Sequence, residues 1–230
     1  VIISKRKVRF IMFKFNPPVI LEDLQSQNIN GKRFYTTPDG IRLPSVTTVI
    51  GAKKKQSIVE WRNRVGEETA NKISAKASSR GNRVHKLCED YISNVDGYAR
   101  GVFPDALEMF RTIKPVIDEH VGEVWYQEQA LYSLQLEMAG RVDLIAYWDG
   151  VLSIIDFKTN SRIKTKDMIG DYFAQETAYA LMVEELIGEP INQLVTLMAV
   201  DNEQPLVFIE KTEDHLVNLV EHIQFYKNNT

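Results

Sequence analysis

Cysteine is nearly absent: Cys88 is the only one in 230 residues. That excludes an intrachain disulfide framework, a zinc site built on several cysteines, and a four-cysteine iron–sulfur cluster, and it suits a reducing compartment. Long apolar runs are also missing. None approaches the roughly 18 residues that a membrane-spanning helix needs, so no membrane partner is expected. There is no internal repeat and no low-complexity segment. Acidic residues are absent from particular stretches, although the whole chain carries a net charge of −3. None lies among Lys5, Arg6, Lys7, Arg9 and Lys14, and none among Lys158, Arg162, Lys164 and Lys166. Lys53, Lys54, Lys55, Arg62 and Arg64 are offset only by Glu60. A basic face on an acidic protein can steer an anionic ligand, although a run of surface lysines can also be merely solvated. The first 14 residues read as a flexible DNA-contacting arm or an organelle transit segment.

What is present is enough apolar material, 44% of residues, to bury a substantial core in one large domain or a domain with an appendage. The strongest local signal is Asp149-Gly150 between two β-branched, aromatic and aliphatic runs, 139–148 and 151–159, which specifies a hairpin with a two-residue type I′ turn. Pairing then sums to 299, so that Trp148 faces Val151 and Ala146 faces Ser153. Continued outward, Asp143 faces Asp156 as a non-hydrogen-bonded pair. Alternation puts Asp143, Asp156 and Lys158 on one face, with Arg141 opposite Lys158. Two carboxylates so placed repel and, among apolar neighbours, call for a shared proton or a cation.

Elsewhere, Gly31–Tyr35 and Ile41–Leu43 flank a turn at Pro38-Asp39-Gly40. Ser45 and Thr47 follow, either as caps of a short helix or as part of a phosphate-contacting loop. Residues 58–89 and beyond are helical in pattern, with a break expected near Ser78-Ser79-Arg80-Gly81. There His85 and Glu89, spaced i, i+4, share a helical face. A helix over 105–120, a strand over 124–133, the hairpin, a helix over 171–187 carrying Asp171, Gln175, Tyr179 and Met182 on one stripe, strands over 194–200 and 206–210, and a closing helix complete the order. That order predicts a mixed α/β (α+β) fold, with a central mixed sheet flanked by helices.

Two facing carboxylates and a nearby lysine suit phosphodiester hydrolysis. Oxygen ligands can hold Mg²⁺, a bound divalent ion activates water and neutralises phosphate, and a lysine can orient the water, deprotonate it or stabilise developing charge. The ordered elements Gly140-x-x-Asp143, Asp156-x-Lys158-Thr159 and Gln175-x-x-x-Tyr179, with Arg80-Gly81-x-x-x-His85-x-x-x-Glu89 upstream, resemble the PD-(D/E)XK nucleases of the RecB-like branch. Pro44-Ser45-Val46-Thr47 followed by Trp61-Arg62 is similar to the mitochondrial genome maintenance exonuclease and phage exonucleases. The resemblance implies a restriction-endonuclease-like core over residues 44–230, preceded by an arm and small hairpin over 1–43. It implies metal ligation by His85, Asp143, Asp156 and the Phe157 carbonyl, and Lys158 as the catalytic lysine. Supporting or DNA-contacting roles would fall to Glu89, Gln175, Tyr179, Thr159, Ser45, Thr47 and Arg80. Glu128 also recurs in such strands, and alternation leaves its direction open. The expected cofactor is Mg²⁺ or Mn²⁺, without an iron–sulfur cluster. The expected substrate is DNA, single-stranded or with free ends, met in a phage-infected cytoplasm or an organelle matrix. A structure-specific endonuclease and a non-catalytic nucleic-acid-binding module are the alternatives.

Overall fold

The structure, a computed structural model, describes residues 12–229; the basic cluster from Lys5 to Arg9 lies outside them. Among the described residues there are two sheets. A small antiparallel sheet joins β1 (Gln25–Ile29), β2 (Lys32–Thr36) and β3 (Arg42–Pro44). The β2–β3 connection is the anticipated one around Pro38-Asp39-Gly40, and β1 is an additional strand. Leu24, Tyr35 and Leu43 pack with Ala130 and Ala139, which fastens this sheet to the main one. Phe15 bridges to Val124.

The main sheet has the order β4 (Val121–Ser133), β5 (Met138–Trp148), β6 (Val151–Asn160), β7 (Gln193–Val200), β8 (Leu206–Lys211). The first three strands are antiparallel, β6 and β7 are parallel, and β8 is antiparallel to β7. A parallel neighbour needs a crossover, supplied here by the helix α5 (Gly170–Ile187). Ile154, Ile155, Asp156 and Phe157 are all buried, as expected for a central strand covered on both faces.

One face packs on α3 (Glu67–Ile92) and α4 (Pro104–His120), whose Val84, Leu87, Phe110, Ile113 and Ile117 meet Leu144, Ala146, Trp148, Ile155 and Phe157. The other is covered by α5, the short α1 (Val46–Gly51) and α6 (Leu216–Asn228). There Val46, Ile50, Ala178, Met182 and Leu219 meet Val142, Ile145, Ile154 and Leu194. The result is the predicted helix–sheet–helix arrangement.

The expected helix break is elsewhere. α2 (Lys55–Val65) ends at Gly66, at φ 85°, and α3 then runs without interruption through Ser78–Gly81. Gly66 adopts a conformation that an L-residue resists. Gly81 keeps helical geometry, and a Cβ there would lie 3.4 Å from Thr159 Oγ1, so its role is close packing on β6.

Candidate active site

The site lies where the central hairpin stops being a regular hairpin. Asp149 and Gly150 have φ of 50° and 82°, as a type I′ turn requires, and pairing follows the predicted register from Trp148↔Val151 to Leu144↔Ile155. There it ends. In an unbroken ladder the Phe157 N–H would go to the Val142 carbonyl; instead it donates to Asp143 Oδ2 at 2.9 Å. On the other side of β5, Gln127↔Leu144 and Gln129↔Val142 bracket an unpaired couple, Glu128 and Asp143. Glu128 is left-handed, at φ 48°. Leu144, Ala146 and Trp148 enter one core, while Val142 and Ile145 enter the other, so the alternation breaks at Asp143.

The break corrects two expectations. Asp143 and Asp156 are not a paired couple within the ladder. Arg141 is not opposite Lys158: its guanidinium binds the Glu128 carbonyl and lies 2.5 Å from Asp23 Oδ1. A strand whose residue spends its carboxylate on the neighbour's amide cannot also keep the ladder closed there.

Two groups of side chains result. Asp143 is aimed towards α3, with Oδ2 3.3 Å from His85 Nδ1. His85, Glu128 and Asp143 each offer one donor atom, all within 4.8 Å of one another. Asp156 is aimed towards α5. Gln175 Nε2 donates to its Oδ1 at 3.1 Å, and the Lys158 ammonium lies against its Oδ2 as an ion pair. Phe157 sits between the two groups, its ring edge-on to His85 at 6.5 Å. Its carbonyl lies on the same side of the strand as its N–H and therefore opens into the same gap.

Burial shapes the electrostatics. It pushes the Glu128 carboxyl up to about 7, helped by the Asp143 charge. It pushes Asp156 up to about 6 against the pull of Lys158, with Asp143 adding repulsion. For His85 burial works the other way, but Asp143 outweighs it, and the imidazole stands at about 9. The desolvation cost to Asp143 is overcome by His85 and Lys158, which hold its carboxyl below the usual range. Lys158 is likewise held above its ordinary value, since Asp156 and Asp143 outweigh its burial.

The remaining sequence candidates divide. Tyr179 is buried and covers Gly140, where a Cβ would be 2.8 Å from its ring. Thr159, near the end of β6, lies against Gly81 of α3. Glu89 is on the rim: its carboxylate pairs with Lys86 at 3.1 Å, and its carbonyl accepts from Gln127. Three residues are not brought to the carboxylates. Arg80 pairs with Asp201 at 2.5 Å. Ser45 caps α1, accepting from the Thr48 N–H at 3.0 Å, and Thr47 Oγ1 is 3.0 Å from the Ser45 hydroxyl. Glu176 was not anticipated. It is fully buried, bonded to the Thr196 hydroxyl, and its carboxyl is pushed well above the ordinary range by burial and by Asp156. Its only signal in the sequence is an acid inside the apolar run 172–183.

The donor set suits a divalent cation. Carboxylate oxygens and a carbonyl fit Mg²⁺ and Mn²⁺, and an imidazole adds preference for a transition ion. Two carboxyls forced upward by burial and by the neighbouring Asp143 charge are the groups that such a charge would relieve. The PD-(D/E)XK nuclease superfamily model matches residues 58–224, which span every one of these side chains. The chain belongs to the PD-(D/E)XK nuclease superfamily. Nucleases of this superfamily generally use divalent metals and act on nucleic acid. No curated protein matches the chain. Among solved structures, one from Eubacterium rectale, described provisionally as an exonuclease, is 12% identical, with a TM-score of 0.41 over 67% of this chain and 68% of its own. The structure of SSO0001 is 13% identical, with a TM-score of 0.39 over 80% of this chain and 76% of its own. At these values the likenesses are distant, and membership rests on the superfamily model.

Proposed function

We propose that this PD-(D/E)XK chain is a Mg²⁺- or Mn²⁺-dependent exonuclease that hydrolyses single-stranded DNA or DNA from its ends, in replication, recombination or repair. The observation that carries the reading is the opening at Asp143. It sets His85 and Glu128 on one side of Phe157 and Asp156, Lys158 and Gln175 on the other, around the segment where the β5–β6 ladder opens. His85, Glu128, Asp143 and Asp156, with the Phe157 carbonyl, would hold the ion. When bound, it would activate water and neutralise phosphate charge.

The protein's own groups set the rest. Asp143 fixes the Phe157 peptide, and Gln175 fixes Asp156. Lys158, kept cationic by two carboxylates, supplies a positive charge to the phosphate as negative charge develops rather than a base. End-directed attack on single strands rests on the resemblance of the motif series to exonucleases.

The test is digestion of DNA labelled separately at its 5′ and 3′ ends, linear against circular, with Mg²⁺, Mn²⁺ or chelator. Asp156→Ala and Lys158→Ala should each lower cleavage by about 10²-fold or more while melting cooperatively. Undiminished cleavage in both variants would overturn the site. Cleavage of circles as fast as of linear DNA would replace the exonuclease with an endonuclease of the same fold.

A further inference from the structure

A second surface has a chemistry of its own. Between the small sheet, the α1–α2 junction and α6 lies an open groove of about 1030 Å³. Among the described residues four cations line it, Lys32 and Arg33 from β2 and Lys53 and Lys55 from the α1–α2 junction, and none of those lining it is acidic. That is unexpected in a chain with 31 acids against 28 bases. Among the described residues only Lys53 meets a carboxylate, Glu221 at 3.1 Å on an exposed edge. Lys32 lies 5.5 Å from the centre of the Tyr226 ring. Arg33 and Lys55 are exposed and have no carboxylate partner among the described residues. Beside these charges the groove presents Ile58 and Phe225, 48% and 38% exposed.

Solvated lysines on one helix would be unremarkable. Here the cations come from two segments some twenty residues apart and converge on a concavity with an aromatic ring in its wall. Concave walls of one sign focus potential. An acid-free cationic track with apolar and aromatic patches is the combination that holds a phosphate backbone and its unpaired bases. Segments that line the groove also connect to elements of the site. Lys54, between the two lining lysines, pairs with Asp171 at 2.6 Å in the first turn of α5. Gln175, which holds Asp156, is four residues along that helix, about 6 Å of rise. The α1 side chain Val46 lies behind Gly140, three residues from Asp143.

We infer that this groove is a binding track for single-stranded nucleic acid leading to the Asp156 site, with phosphates on Lys32, Arg33, Lys53 and Lys55 and bases against Phe225 and Ile58. The inference rests on the nuclease reading for its direction, but binding tests it separately. The experiment measures anisotropy of a labelled oligothymidylate in chelator, where no cleavage occurs, over a range of salt. The wild-type chain is compared with Arg33→Gln/Lys55→Gln, each checked for cooperative melting. Loss of two phosphate contacts should weaken binding about tenfold at low salt and reduce the slope of log K against log salt by about 1.4, at about 0.7 per contact on single strands. Phe225→Ala should weaken oligothymidylate more than an abasic strand of equal length. An unchanged affinity and slope in the double variant, or equal binding of polyglutamate, would overturn the track. Wild-type protein that binds but never cleaves with any metal would sink the nuclease reading and leave the track standing.

Discussion

Replacing Gly140 with alanine would place a methyl carbon 2.8 Å from Tyr179 Cε1, 2.9 Å from its hydroxyl oxygen and 3.0 Å from Val46 Cγ2. Carbon pairs prefer roughly 3.5–4.0 Å, so the ring must retreat by about 1 Å. Tyr179 is buried to 2% exposure in the core under α5 and has little room to do so. Overpacking of this kind costs about 1–3 kcal/mol, or about 2–12 °C in melting temperature at about 2–4 °C per kcal/mol for a chain of this size. Tyr179→Ala alone should cost about 3–5 kcal/mol through its cavity. In that background the penalty of Gly140→Ala should shrink, with Val46 Cγ2 at 3.0 Å as the remaining close neighbour. Gly140 is not among the glycines at positive φ, the obstructing ring is gone, and the loss of glycine's unfolded-state freedom favours the fold by about 0.4–1 kcal/mol. Thermal melts of the four proteins close the cycle. A Gly140→Ala effect of the same sign and size in both backgrounds would refute a close approach between Tyr179 and β5.

Three other outcomes are expected. In chelator, the melting temperature should fall as pH rises from about 4.5 to 9. Glu128 and Asp156 bind their protons more tightly folded than unfolded, so stability is lost as pH climbs from their unfolded values through about 7 and 6. His85, raised to about 9, gives up its share as pH passes that value. Glu128→Gln should flatten the part of the curve below pH 7, and a melting temperature that instead rises steadily from pH 5 to pH 8 would contradict the assignment. Added Mn²⁺ at about a hundred times its dissociation constant should stabilise the fold by about 2.7 kcal/mol, and Asp143→Asn should abolish the shift; an undiminished shift would place the ion elsewhere. Ser45→Ala should cost about 1 kcal/mol through the lost cap, with cleavage of DNA retained. A loss of cleavage without a loss of stability would restore the phosphate-contacting reading of that loop.

Those features of the site written in local chemistry were legible. Asp149-Gly150 specifies its turn, the turn specifies the register, and the register holds for five pairs to Leu144↔Ile155. The long apolar helix after β6 is the crossover that a parallel β7 demands. What escaped depends on contacts distant in sequence. Nothing local announces that Glu128 will be left-handed in mid-strand, or that Asp143 will take an amide from across the hairpin. The helix break was misplaced for the same reason. Ser78-Ser79-Arg80-Gly81 has the composition of a break, but Gly81 serves close packing on Thr159, and the turn falls at Gly66. Arg80, in the same stretch, is occupied with Asp201, 121 residues away.

The bond from the Phe157 amide to Asp143 Oδ2 has a dynamic consequence. A ladder amide exchanges with solvent deuterium only when its strands part, whereas this one is shielded by a single carboxylate that can swing away without disturbing the sheet. Phe157 should therefore exchange faster than Ile154 or Ile155 on the same strand. Its rate should respond to anything that recruits Asp143, making one backbone proton a reporter of the state of the whole site.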